Sequence, residues 1–152
     1  MPAMTDLTLA FAGVEIGTAD LLMEAGGLAT DDGLRSAIIV SLFTDARADV
    51  DDTMPAHGDR RGWWGDVAPA ADRDVTGSKL WLLDREKIVA KALASARDYA
   101  TAALAWLTED RVAASVEIET AAIGATLALG VTVVRPAGPE RRRFDFVWGS
   151  LA

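Results

Sequence analysis

Residues 116–148 read VEIETAAIGATLALGVTVVRPAGPERRRFDFVW, and their patterning decides the fold. Val116 and Ile118 alternate with Glu117 and Glu119, as in a strand with one wet face. Ile123, Ala125, Leu127, Leu129, Val131 and Val133 then alternate with mostly small residues or Thr. Pro136-Ala137-Gly138-Pro139 is turn chemistry. Phe144, Phe146 and Trp148 fall on one face of a last strand, with Asp145 on the other. Three strands in this order predict an antiparallel meander with one apolar face.

Upstream, the spacing predicts a long helix over about Asp84 to Glu109. Val89, Leu93, Ala96, Ala100, Ala103, Leu104 and Leu107 form its stripe, flanked by Tyr99 and Trp106. This stripe is expected to cover the odd-numbered residues of 123–133 together with Phe144 and Phe146. A second helix is expected over Leu34–Phe43, started by Thr30, Asp31 and Asp32. Leu34, Ala37, Ile38 and Leu42 share one face, and Ile39 with Val40 predicts deep burial on other sides. Asp6 to Phe11 alternates as a half-buried strand, and Leu21-Leu22-Met23 reads as another, closed by Gly26-Gly27. The predicted fold is α+β: an antiparallel sheet with strands from both chain ends, two main helices packed on one face, and one long central loop.

The chain has 152 residues, a formal net charge of −8 and no Cys. That length predicts a single domain over residues 1–152. Without Cys there is no disulfide scaffold, thiolate zinc site or thiol nucleophile. His57 is the only His, so a site built on two imidazoles is excluded. The first six residues carry neither a basic region nor an apolar run, so no secretory signal is expected. The uncharged run Thr120 to Val134 is too short for a membrane span. Residues 1–59 carry eleven acids against two Arg, whereas residues 60–152 carry twelve acids against thirteen bases. The acidic part repels a phosphate backbone and favours a basic partner. Neither nucleic acid nor membrane is an expected partner. Arg60-Arg61 and Arg141-Arg142-Arg143 read as solvated turns.

Residues 44–76 sustain no period of 2 or 3.6 and are rich in Asp, Gly and Pro. Loops this long within a compact domain usually serve a function or lack order. This one holds Trp63-Trp64 between Gly62 and Gly65, flanked by Asp59-Arg60-Arg61 and Asp66. Two adjacent indoles in a polar loop must pack on something: the chain's own core, or a partner. Trp and Arg are the residue types most enriched at interface hot spots. The residues alone leave both readings open.

Candidate chemistry is sparse. Asp45, Asp49, Asp51 and Asp52 cluster as hard-cation ligands do, but lack the Gly and Glu of a calcium-binding loop. A solvated acidic loop is the ordinary reading. Glu86 follows an apolar run, which suits a glycosidase acid, but equally a first-turn helix acid. There is no G-x-S-x-G, phosphate-binding loop or G-x-G-x-x-G, and His57 reads as an exposed loop residue. No cofactor and no metal are expected, and no catalytic constellation is visible.

Three stretches together resemble a known family: DDGLRSAIIVSLFTD at 31–45, DRRGWWGD at 59–66 and GSKLWLLDREK at 77–87. In this order and spacing the chain is similar to the Mu-like phage baseplate protein family of gene product forty-six. That family is similar in turn to the baseplate wedge proteins related to gene product twenty-five of T4-like phages. The resemblance spans about Leu7 to Trp148. It implies a non-enzymatic structural part of a contractile tail or tail-like particle, built in several copies around the hub. It implies contacts with wedge and hub subunits and with the start of the sheath, after assembly in the host cytoplasm. The T4-type relatives have carried a lysozyme-like label, so a muramidase acting on peptidoglycan is the alternative. Gly77, Leu80, Leu83 and Glu86 fall on a wedge-assembly segment of those relatives, although Lys87 stands where Pro is expected. The residues the resemblance and the loop chemistry together mark as interface are Arg60, Arg61, Trp63, Trp64, Asp66, Leu80, Trp81 and Glu86.

Overall fold

The computed structural model describes residues 6–11, 19–24, 26–28, 30, 31, 33–54, 58–68, 75–83, 90–124, 126–137 and 140–150. The C-terminal meander is present as expected. Strands β7 (Ser115–Ile123), β8 (Thr126–Val134) and β9 (Arg141–Ser150) pair antiparallel in the order β7-β8-β9. The register places Ile118 opposite Val131 and Val131 opposite Phe144. Leu127, Leu129, Val131, Val133, Phe144 and Phe146 are therefore buried on one face.

Two helices cover that face. Helix α1 (Leu34–Phe43) contributes Leu34, Ile38, Ile39 and Leu42 to the core, and Phe43 meets Phe146 edge-on at 5.7 Å. Helix α2 (Ala90–Ala103) buries Ala92, Ala96 and Ala100, one per turn. With only methyl groups on this stripe, α2 lies close to the sheet, and the Thr120 hydroxyl of β7 donates to the Leu93 carbonyl at 3.1 Å. Leu104 and Leu107 complete the cluster. Each fully buried Leu here contributes on the order of 2 kcal/mol.

The N-terminal strands pair antiparallel among themselves. β1 (Asp6–Leu7) pairs with β6 (Thr30–Asp31), β2 (Leu9–Phe11) with β3 (Ala19–Leu21), and β4 (Met23–Glu24) with β5 (Gly27–Leu28). The α+β class with antiparallel strands from both chain ends holds, with those strands divided among separate sheets. Ser36 of α1 joins this region to the core. Its hydroxyl accepts from the Leu9 N–H at 3.0 Å and donates to the Leu7 carbonyl at 2.8 Å.

Several local expectations are corrected. The N-cap of α1 is Gly33, at φ 73 and without a side-chain cap, because Thr30 and Asp31 are committed to β6. Ser36 takes a buried place that apolar periodicity assigned to Ala37, while Val40 is 43% exposed. The long helix is interrupted at Leu104-Ala105, where Ala105 and Leu107 bond to carbonyls three residues back. A short helix, α3 (Trp106–Glu109), follows. Residues 84–89, including Val89 and the expected helix start, lie outside the described residues. Ile123 ends β7 beside the turn at Gly124 and is 65% exposed, so it is not under the helix.

Arg141-Arg142-Arg143 is not a turn but the start of β9. On the solvent face Arg141 bonds Glu117 at 3.0 Å, and Arg143 bonds Glu119 at 2.7 Å and Asp145 at 2.9 Å. Both arginines reach β7 across β8. Gly130 makes room for this, since a Cβ there would press on the Arg143 guanidinium.

Candidate functional site

The long loop is built on three adjacent backbone segments. Helix α1 ends at Phe43, Thr44 is extended, and residues 44–48 then run between Arg60 and residues 77–78. On one side the Ser78 N–H donates to the Thr44 carbonyl and the Ala46 N–H to the Ser78 carbonyl, both at 2.9 Å. On the other side the Ala48 N–H donates to the Arg60 carbonyl at 2.9 Å. Gly77, at φ 105, is required at this crossing because any Cβ would overlap the Thr44 carbonyl. Ser78 is buried, and its hydroxyl donates to the Leu42 carbonyl at 2.5 Å while accepting from the Leu80 N–H at 3.2 Å.

Residues 77–83 anchor this arrangement. The apolar run Leu80–Leu83 forms a 3-10 helix whose four side chains are all buried. Leu80 and Leu83 join the main core, while Trp81 and Leu82 form a second cluster with Ala48. Trp81 donates its indole N–H to the Ala46 carbonyl at 2.7 Å. Leu80 and Trp81 are thus 1% and 4% exposed, and hold the loop from beneath instead of facing outward. Glu86 lies outside the described residues.

Arg61 turns inward. Its guanidinium sits over the Trp81 ring, 4.6 Å from the centroid, and bonds Asp45 at 2.8 Å. Its backbone is left-handed at φ 48, held by its N–H to Asp59 Oδ1 at 2.9 Å. Gly62 follows at φ 109, packed on the Arg47 side chain. Two consecutive positive φ values thus precede the next residues, which project into solvent.

Trp63 and Trp64 stand at that projection. Their rings lie 5.4 Å apart with a 47° tilt. Trp63 is 42% exposed and Trp64 81% exposed, and among the described residues neither joins an apolar cluster. Trp64 opens a 3-10 turn, Trp64–Val67, closed by the Asp66 N–H to the Trp63 carbonyl at 3.1 Å. Gly65 lets the Trp63 ring fold back, since a Cβ at that position would overlap it. Asp66 accepts from the Thr76 N–H at 3.1 Å, which ties this turn to the Gly77 crossing. Two exposed indoles are therefore held on a backbone fixed at both sides.

Three acids of the loop, Asp45, Asp49 and Asp52, face the chain's own cations. Lys79 bonds Asp49 at 2.5 Å and Asp52 at 2.7 Å, and Asp52 Oδ2 also accepts from the Asp49 N–H at 2.7 Å. The Lys79 hydrogen bond holds the Asp52 carboxyl below its ordinary range, against the opposing effect of burial. Burial pushes the Lys79 ammonium down, but the hydrogen bonds and charges of Asp49 and Asp52 outweigh it and raise the group overall. Among the described residues no group of three or more His, Asp or Glu side chains is arranged to hold a metal ion. Among them, too, no helix is long and apolar enough to cross a membrane.

The expected interface set is thus sorted by the structure. Trp63 and Trp64 are exposed and in contact, Arg61 is a clamp on Trp81, Arg60 and Asp66 are half-buried, and Leu80 and Trp81 are core. The sequence did not mark Ser78 or Lys79, and it marked Asp45 only as a cation ligand and Gly77 only as part of an interface segment, because their roles depend on a crossing between distant segments. The isolated Gly before Ser78 is the one local signal that a tight crossing was needed.

Comparison with known proteins gives these observations a context. The chain is 46% identical over 113 residues to the baseplate protein gp46 of Escherichia phage Mu, covering 73% of this chain and 74% of that protein. It is 41% identical over 147 residues to the Mu-like prophage FluMu protein gp46 of Haemophilus influenzae, covering 95% of this chain and 98% of that one. The family model described as phage protein GP46 matches residues 34–140, a span that holds α1, the Trp loop, the buried 77–83 segment and β8. On that match the chain belongs to the phage protein GP46 family.

Proposed function

We propose that this protein is a structural component of the baseplate of a contractile phage tail or tail-like particle. In this reading it is one baseplate domain, present in several copies, made in the host cytoplasm and then carried in the particle. It assembles with wedge, hub and sheath subunits. The observation that carries the reading is the Trp63–Trp64 pair, exposed on a locked backbone in a chain 46% identical to a baseplate protein. Rigid exposed aromatics anchor protein–protein interfaces because they bury large areas at little conformational cost. Arg60, Asp66 and the exposed loop around them form the rim of this contact, and Arg61, Leu80 and Trp81 support it from within. Glu86 belongs to the same proposed interface as a part of the wedge-assembly segment.

A second contact surface is the outer edge of β9. Among the described residues β9 pairs with β8 alone, so its other edge offers backbone donors and acceptors to an added strand. We assign this edge to the sheath. The test is co-expression of the tagged chain with the neighbouring tail genes, read by mass spectrometry. Recovery of large baseplate and sheath subunits is the expected result. Recovery of the folded chain alone would overturn the reading.

A further inference from the structure

We propose that the Trp63–Trp64 platform receives a cationic, arginine- or lysine-bearing segment of its partner protein, stacked on the indole of Trp64. The inference rests on the reading of this loop as an assembly surface and specifies the chemistry of what docks there.

The faces of an indole carry a negative electrostatic quadrupole and attract cations. Trp64 is 81% exposed while its backbone is held by the 64–67 turn and by Asp66 on Thr76, so the face is both open and preorganised. Two of the chain's nearby cations are already engaged elsewhere. Arg61 is turned in over Trp81 and onto Asp45, and Lys79 lies between Asp49 and Asp52. Among the described residues no cation lies over Trp63 or Trp64, although Arg61 is only two positions from Trp63.

The surroundings carry an excess of acid, with Asp45, Asp49, Asp51, Asp52, Asp59 and Asp66 against Arg47, Arg60, Arg61 and Lys79. The backbone bond from Ala48 to Arg60 sets the Asp-rich segment 45–52 alongside the Trp loop. Asp51 and Asp59 are exposed, and Asp51 has no ion pair among the described residues. An apolar knob docking here would strip water from these carboxylates and give nothing back. A guanidinium or ammonium group satisfies the indole face and the carboxylate field together. Phosphate-bearing partners meet repulsion from the same field.

Aromatic character and bulk can be separated at residue 64, because so exposed a side chain tolerates replacement without loss of fold. Full-length chains carrying Trp64→Phe, Trp64→Leu or the double change Trp63→Ala with Trp64→Ala are co-expressed with the tail genes. Incorporation into purified baseplates is then quantified, with thermal melts confirming the fold. A cationic partner requires Trp64→Phe to retain most incorporation while Trp64→Leu falls about fivefold or more, toward the double variant. If Leu serves as well as Phe, or if Phe fails along with Leu, the cationic partner is overturned while the assembly surface stands. If the double variant incorporates normally, the assembly surface itself is overturned and this inference with it.

Discussion

The guanidinium of Arg61 lies 4.6 Å from the centre of the Trp81 ring while its Nη1 bonds Asp45 at 2.8 Å. One side chain thus joins the exposed loop, the strand-like segment after α1 and the buried 3-10 helix at Leu80–Leu83. It does so from a left-handed backbone, which costs a non-glycine residue on the order of 1–2 kcal/mol. Arg61→Ala keeps that strain and loses both contacts, for an expected loss of about 1–2 kcal/mol, combining a cation–aromatic contact with an exposed ion pair. Arg61→Gly loses the same contacts but relieves the backbone, so it is expected to be less destabilising by several tenths of a kcal/mol or more. Urea unfolding of the two variants measures the difference. Equal losses would show that φ 48 at Arg61 stores no strain.

Gly77→Ala is expected to be more damaging than either. The new Cβ meets the Thr44 carbonyl, a backbone atom that cannot swing away, at a residue with φ 105. A loss of about 2–4 kcal/mol is expected, from strain at the left-handed position together with displacement of the Ser78 crossing. The indole N–H resonance of Trp81 reports the displacement, because that N–H bonds the Ala46 carbonyl within the same crossing. An unchanged unfolding midpoint would contradict the assignment of Gly77 as the pivot of the loop.

The Lys79 cluster gives stability a defined pH window. The folded Asp52 carboxyl titrates below its ordinary 3.8, so its contribution is present above that value and is lost as pH falls through the lowered value. Lys79 titrates above its ordinary 10.5, so its contribution is present below that value and is lost as pH rises through the raised one. Lys79→Met removes both effects. Carboxyl-detected NMR is expected to show Asp52 titrating higher in the variant, and the acid limb of the stability curve becoming shallower. An Asp52 titration that does not move would separate the two groups.

Ser36→Ala tests how the N-terminal strands are attached. The hydroxyl serves both the Leu9 N–H and the Leu7 carbonyl, and no methyl can replace it. The expected loss is about 1–3 kcal/mol, the cost of leaving partly buried backbone groups unpaired. Amide exchange at Leu9 is expected to accelerate while exchange in β8 changes only with global stability. Equal acceleration throughout would mean that these strands open only with the whole protein.

The parts of the fold that were legible are those carried by local periodicity. Leu127, Leu129, Val131 and Val133 alternate, and α1 spans Leu34–Phe43 as its apolar spacing predicts. What escaped was set by partners distant in sequence. Asp31 reads as a helix start until β6 claims it for pairing with Asp6. Arg141 and Arg143 read as a turn until the register places Glu117 and Glu119 within reach across β8. The Trp loop stood out by composition, but its residues alone left open whether the indoles cap the core or face outward. Their exposure, just after the positive φ values of Arg61 and Gly62, places them outward.

In the proposed function Trp63 and Trp64 are contact residues in an assembled baseplate. Hydroxyl-radical footprinting of the free chain and of purified particles tests it directly, with Trp oxidation read residue by residue. In the free chain Trp64 is expected to oxidise fastest among the described tryptophans and Trp81 slowest, following their exposures of 81% and 4%. In the particle, Trp63 and Trp64 are predicted to be protected about tenfold, as fully desolvated anchors are, while Trp81 is unchanged. Oxidation of Trp64 in the particle at the rate of the free chain would show that it is not a contact residue.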